Sequence, residues 1–335
     1  MALTESAPPG TLGMDRDTLI AMYRHMVLGR VLDERVIVLN RQGMAPFAVS
    51  GQGHEATQVG AGYALRAGHD WVVPYYRDAT LSLVLGMRPV DHLFAALGRA
   101  ADPSSGGRQM PGHFSSRECR IVTTGSAVAT QVLHAVGIAL AVRSRREDLV
   151  VLTTCGEGGT SEGDFHEALN WAGIHRLPVI FLVENNHFAI SVPQSRQMAV
   201  QRVAERAVGY GMPGVTVDGG DVLAVHGAMA EAVARARRGE GPTLLEALCV
   251  RLQSHSSDDD QRRYRDPADL LDLRQHDPLD RFRADLEAAQ VLDPQAAEAI
   301  RRACRDEVDE AQAEAEAALA PDPATAADHV YGTAP

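Results

Sequence analysis

Two short stretches of the chain carry groups suited to a hard cation, each directly after an apolar run. The first is Cys155-Gly156-Glu157-Gly158-Gly159, a single carboxylate among glycines, and the second is Glu184-Asn185-Asn186-His187-Phe188. Glu157 and Asn186 stand 186 − 157 = 29 positions apart. A small hard cation takes near-octahedral oxygen ligands and combines carboxylate, amide, backbone carbonyl and phosphate oxygens. Glu157, the Asn186 side chain and the Phe188 carbonyl can supply the protein's half of such a set, and a diphosphate the remainder. The plainer alternative is a crossover whose glycines only turn the chain.

The elements that must position these groups are legible around them. Leu149 to Cys155 (LVVLTTC) and Val179 to Val183 (VIFLV) are apolar, β-branched runs of strand length. Between them, Ser161 to Asp164 offer capping side chains, and Phe165, Ala168, Leu169 and Ala172 recur at helical spacing up to Leu177-Pro178. Strand, helix and strand joined by a right-handed crossover give parallel strands. Glu157 and Asn186 then face each other across the carboxyl ends of neighbouring strands.

Upstream, apolar residues from Leu19 to Val38 predict a long helix, capped at Asp17 and ending near Gln42-Gly43. A loop over Met44 to Gly53 contains Phe47, by itself an ordinary core residue, and a helix runs on from His54-Glu55 to Leu65. Trp71 to Pro74 is a short strand delivering Tyr75-Tyr76-Arg77-Asp78, hydroxyls and charge directly after apolar residues. From about Arg99 to Arg117 the chain is too rich in Gly, Pro and Ser for regular structure, and so long a loop is read as a binding or contact segment. Ile121 to Ser126 reads as a short strand into a turn, and Val128 to Val142 as a helix with many small residues. Then come a helix (Val200 to Val208), a strand (Gly214 to Val217), a helix (Val222 to Arg238) and a buried strand (Thr243 to Leu252) that delivers Arg251 and, shortly after, His255.

The fold class expected is α/β, a mostly parallel sheet flanked by helices, with helical N- and C-terminal extensions. Residues 1–14 read as a disordered arm, 15–265 as the α/β domain, and 266–335 as a helical, acidic, Ala-rich extension. With 335 residues, 45% of them hydrophobic and 23% charged, the composition is that of an ordinary soluble globular protein. A formal charge of −12 argues against general nucleic-acid binding, which needs clustered Lys and Arg facing phosphate. The four cysteines form no CxxC pair and suggest neither zinc nor a disulfide framework. A reducing, cytoplasmic setting fits, and neither an apolar signal core nor a membrane-length apolar run is present.

The glycine turn, the helix and the double Asn at this spacing resemble the diphosphate-binding motif of thiamine diphosphate enzymes. The resemblance extends from about Asp17 to Asp266, through VVPYYRDA at Tyr76-Arg77, GRQMPGHF at Arg108 to Met110, and VRLQSHSSDDDQRRYR at Arg251 and His255. It is to the alpha subunits of thiamine-diphosphate-dependent 2-oxo acid dehydrogenases, and GRQMP with HSSDDD favours the branched-chain (2-oxoisovalerate) type. The resemblance implies a cofactor lining of Tyr75, Tyr76, Arg77, Ser126, Ala127, Val128, Gly156, Glu157, Gly158, Gly159, Asn186, Phe188, Ile190, Arg251 and His255. It also implies Mg²⁺ on Glu157, Asn186 and Phe188, and a K⁺ site at Thr130 and Gln131. His255 and Tyr76 would act in catalysis, and Phe47, Tyr76 and Ser126 would touch the substrate, Phe47 as an apolar wall. The implied partners are a beta subunit in a two-alpha, two-beta assembly and a lipoyl acyltransferase core. Three positions depart from the commonest family pattern: Glu157 stands for Asp, Phe188 for Tyr, and Ala127 for a Pro. The rival readings are a pyruvate or acetoin dehydrogenase alpha subunit, and a non-catalytic cofactor-binding or assembly subunit.

Overall fold

The computed structural model describes residues 13–328 and Val330. The arm expected over residues 1–14 lies outside the described residues except for Gly13 and Met14. In chain order the elements are α1 (Arg16–Arg41), α2 (Glu55–Tyr63), β1 (Trp71–Val73), α3 (Ala79–Val84), α4 (Pro89–Ala96), α5 (Thr130–Arg145), β2 (Val151–Gly156), α6 (Gly163–His175) and β3 (Val179–Asn185). Next are a small hairpin of β4 (Phe188–Ala189) and β5 (Val192–Pro193), then α7 (Gln194–Gln197), β6 (Gly214–Asp218), α8 (Val222–Arg237) and β7 (Thr243–Leu248). Three helices close the chain: α9 (Pro267–Gln275), α10 (Pro278–Ala288) and α11 (Pro294–Ala317).

Five strands form one sheet in the order β1-β2-β3-β7-β6, and every pair is parallel. Strand β3 shows why its run is apolar throughout. Val179, Phe181 and Val183 pack on one face with α5 and α6, while Ile180 and Leu182 pack on the other with α8. Both faces are covered, as a parallel sheet with crossover helices requires. The register sets Cys155 beside Val183 and Gly156 beside Glu184. The carboxyl ends of β2 and β3 are therefore level, and the loops leaving the two strands emerge at the same edge.

A further core joins the chain's two ends. Leu19, Met22, Met26 and Leu32 of α1 pack with Leu279 and Phe282 of α10 and with Cys304, Val308 and Ala315 of α11. Arg30 ties α1 electrostatically to α2 and to the start of α10, bonding Glu55 at 2.6 Å and Asp277 at 2.8 Å.

Several expectations need correction. Asp15, not Asp17, caps α1, its carboxylate accepting from Thr18 N at 2.7 Å. Ile121 to Ser126 is no strand: Val122 N bonds Val72 O once, and Thr124 then folds onto Phe114. The Ser161 to Asp164 side chains do not cap α6, because Glu157–Ser161 winds into a 3₁₀ turn that leaves Glu162 at the helix start. Val203–Tyr210 is likewise 3₁₀ in form. Strand β7 stops at Leu248, after which Cys249 N bonds Asn185 O and the chain leaves the sheet toward Arg251.

Candidate active site

The carboxyl edge of the sheet opens into a cleft of about 1340 Å³. Four segments meet there: Tyr75 to Arg77 after β1, Gly156 to Gly159 after β2, Asn186 to Ile190 after β3, and Arg251 to His255 after β7. Of the sequence-derived candidates, Phe47, Tyr75, Tyr76, Arg77, Ser126, Val128, Gly156, Glu157, Gly158, Gly159, Asn186, Phe188, Ile190, Arg251 and His255 line it. Ala127, exposed like Ser126 and Val128 on either side of it, is not among the residues lining the cleft.

Glu157 and Asn186 do face each other, the Asn186 backbone N–H donating to Glu157 Oε2 at 3.2 Å. The remaining oxygens, Glu157 Oε1 and Asn186 Oδ1, are buried and have no hydrogen-bond partner among the described residues. Buried polar atoms are nearly always satisfied, so two orphaned acceptors side by side mark a place suited to a cation or a donor. Burial raises the Glu157 carboxyl above its ordinary value. No group of three or more His, Cys, Asp and Glu able to hold a metal exists among the described residues. A cation here would need ligands such as amide, carbonyl and phosphate oxygens beside the one carboxylate. Gly158 has a steric reason, since a Cβ there would come within 2.8 Å of the Ala189 Cβ. Ala129, His187 and Ile190, none a glycine, hold left-handed backbone beside the site (φ 68°, 68° and 56°). Strain of that kind persists only where the surroundings impose it.

Opposite the orphaned acceptors stand two guanidiniums. Arg77 and Arg251 are 3% and 1% exposed. Arg77 donates to Ser50 O and meets the His255 ring at 3.3 Å; Arg251 donates to Ile190 O at 3.0 Å and to the Tyr264 hydroxyl at 2.8 Å. Among the described residues neither has a carboxylate partner, in contrast to Arg30, and Arg251 Nε has no partner at all. Buried charges are ordinarily paired. Two that are not, both lining one cleft, make that cleft suited to an anion. Burial, reinforced by Arg77 and Arg251, drives the His255 imidazole down to about 4, so it stands neutral in this setting.

Some contacts were not assigned from the sequence. His113 bonds Ser126 Oγ at 2.7 Å, and Met110 and Pro111 join it in the lining. Their loop was read as a binding or contact segment and carries the GRQMPGHF match, without a role for these side chains. Gln197, on α7, donates to the Glu157 carbonyl at 2.6 Å and to Ser161 Oγ at 2.9 Å, clasping the turn that carries the carboxylate.

The sequence profile described as "Dehydrogenase E1 component" matches residues 23–324. The chain belongs to the dehydrogenase E1 component family. This E1 chain is 49% identical over 320 residues to the 2-oxoisovalerate dehydrogenase subunit alpha of Bacillus subtilis (strain 168), an alignment covering 96% of the chain and 97% of the relative. It is 43% identical over 274 residues to the 3-methyl-2-oxobutanoate dehydrogenase subunit alpha of Mycobacterium tuberculosis (strain ATCC 25618 / H37Rv), covering 82% of the chain and 72% of the relative. The pyruvate dehydrogenase E1 component subunit alpha of Bacillus subtilis (strain 168) is 40% identical over 272 residues, covering 81% and 70%.

Proposed function

We propose that this E1 chain is the alpha subunit of a branched-chain 2-oxo acid dehydrogenase. Its reaction is the thiamine-diphosphate-dependent decarboxylation of 3-methyl-2-oxobutanoate and related acids, with transfer of the acyl group to a lipoyl acyltransferase. The observation that carries the reading is the pair of buried, carboxylate-free guanidiniums facing the orphaned oxygens of Glu157 and Asn186. That donor and acceptor set suits a diphosphate bridged to Mg²⁺. Glu157, Asn186 and the Phe188 carbonyl would hold the metal, and Arg77 and Arg251 the phosphate oxygens. The Thr130 and Gln131 side chains are the candidates for K⁺; Gln131 already donates its amide N–H to Thr154 O at 2.9 Å, which turns its oxygen into the available ligand.

When bound, thiamine diphosphate supplies the nucleophilic carbon and the electron sink for decarboxylation. The chain's own residues orient and exclude water. Tyr76 and Phe47 form one wall, and the neutral His255, in contact with Arg77, can donate a hydrogen bond to the substrate carboxylate or carry a proton. Ser126, fixed by His113, presents a hydroxyl on the opposite side. The apolar rim, where Met110, Val128 and Ile190 are 44%, 46% and 53% exposed, supports a partner covering the cleft. We assign that place to a beta chain in a two-alpha, two-beta assembly, which would bring the acid that activates the aminopyrimidine. A cytoplasmic setting accords with four free cysteines, three of them buried. No helix of the described residues is long and apolar enough to cross a membrane.

Calorimetry with thiamine diphosphate and Mg²⁺, with and without the beta chain, combined with decarboxylation assays, tests the reading. Cofactor binding by the pair without turnover of 3-methyl-2-oxobutanoate would overturn the substrate assignment. The pyruvate-type alternative, raised by the 40% identical relative, predicts pyruvate as the better substrate. Phe47→Ala should depress turnover of branched acids selectively, and an unchanged substrate profile would remove the reason for the branched-chain choice.

A further inference from the structure

Beyond the wall formed by Phe47 and Tyr76 lies a second pocket. Phe47, Val49, Tyr76 and Pro111 line both it and the cleft, so the two meet along one surface. It is much smaller than the cleft, with room for a short hydrocarbon group and not for a second complete cofactor. Leu32 and Val36 of α1, Ala79 at the start of α3, Ala96 at the end of α4 and Phe114 make its other walls apolar.

Of the polar groups at its border, which also include the Thr80 hydroxyl, the ionisable ones are already engaged. The Asp33 carboxylate accepts from Gly51 N at 2.9 Å and from Ser50 Oγ and Gln52 Nε2 at 2.8 Å each. Glu55 accepts from Arg30 at 2.6 Å and from Gly53 N at 2.7 Å. His92 bonds Ser82 Oγ at 2.7 Å, and burial drives its imidazole down to about 4, so it is uncharged near neutrality. Nothing here solicits a carboxylate, a phosphate or an ammonium. An apolar surface with its ionisable neighbours satisfied gains mainly from burying hydrocarbon.

We propose that this pocket is a subsite for the alkyl end of the 2-oxo acid, receiving the carbons beyond the first branch while the cleft holds the reacting carbonyl. The proposal rests on the branched-chain reading of the cleft. It makes α1, which supplies no cofactor ligand, a determinant of chain-length preference through Val36.

The test uses the reconstituted alpha–beta enzyme with thiamine diphosphate and Mg²⁺, and compares kcat/KM for 4-methyl-2-oxopentanoate with that for 2-oxobutanoate. Val36→Phe and Ala79→Leu fill the pocket from opposite sides. Each should lower the ratio about tenfold or more, the scale on which methylenes are discriminated in apolar pockets, with 2-oxobutanoate little affected. Val36→Ala enlarges the pocket and should raise the ratio; it serves as the test if the filling variants fail to assemble. A folded filling variant with an unchanged ratio, or a fall with Val36→Ala, overturns the subsite. A parent enzyme that turns over neither acid overturns instead the substrate reading beneath it.

Discussion

Two buried polar groups stand at the same sheet edge, and they differ in how their charge is met. In the first, Glu184 at the end of β3 accepts from His54 at 2.5 Å, from the Tyr75 hydroxyl at 2.9 Å and from Gln58 at 3.2 Å. Asp78 accepts from Thr154 and from Tyr75 N beside it. Burial and the Glu184 charge push the Asp78 carboxyl well up, while for Glu184 burial is outweighed by the His54 hydrogen bond and charge, which hold it low. The pair thus has a proton on Asp78 and a charge on Glu184. In the second group, two residues along the chain, Asn186 Oδ1 and Glu157 Oε1 are without a partner, as Glu184 Oε1 also is among the described residues, but here the two guanidiniums of the same cleft have no carboxylate partner. Neither burial nor a single orphaned oxygen marks a site here; unmatched buried charge does.

The contrast breaks if the first group proves dispensable. Glu184→Ala strips His54, Tyr75 and Gln58 of their acceptor and leaves a buried polar cluster unbalanced. Losses on breaking such pairs run to about 3–5 kcal/mol, and denaturant unfolding should show a deficit of that size with or without cofactor. A deficit below about 1 kcal/mol would mean that the network is not scaffold. Arg251→Met should do the reverse. Replacing an unpaired buried cation by an apolar side chain leaves cofactor-free stability within about 1 kcal/mol of the parent, while thiamine diphosphate affinity falls about 100-fold. If this variant instead unfolds as readily as Glu184→Ala, the open group is structural too.

Much of the open group was legible because strand runs are short and local. VIFLV and LVVLTTC fix two parallel strands, and the loops at their carboxyl ends must lie together, which placed Glu157 and Asn186 from spacing alone. The closed group was not legible in this way. His54 and Glu184 are 130 positions apart, and nothing local distinguishes this histidine from a helix-start residue. His113 reached Ser126 through an irregular loop with no period to read. The inner face of the acidic tail was not legible either: Ala297, Cys304, Val308, Ala311 and Ala315 form a buried helical stripe, but alanine is too weakly apolar to announce which face is inside.

Smaller effects sharpen the boundary between the two groups. Gln197 touches no orphaned atom, yet its amide fixes the turn that presents Glu157. Gln197→Ala should weaken Mg²⁺-supported cofactor binding about tenfold, the scale of outer-shell losses at metal sites, with unfolding little changed. A titration of cofactor fluorescence quenching against Mg²⁺ reads this directly. An unaltered Mg²⁺ dependence would show that the turn holds itself.

The smallest effect concerns protons. His255 is driven down to about 4 by burial first, then by Arg77 and Arg251. A diphosphate that neutralises those guanidiniums removes part of the depression, so binding must raise the imidazole's affinity for a proton. The enzyme should therefore take up a fraction of a proton on binding cofactor at pH values between the cofactor-free and bound pKa of His255, and the uptake should vanish above both. Calorimetry in buffers of different ionisation enthalpy measures the uptake, and His255→Asn should delete the part that does not belong to the phosphate itself. Asp78 and Glu184, fully buried and outside the cleft lining, should contribute none. A proton uptake that survives His255→Asn but disappears with Asp78→Asn would show that the closed group is electrically part of the site.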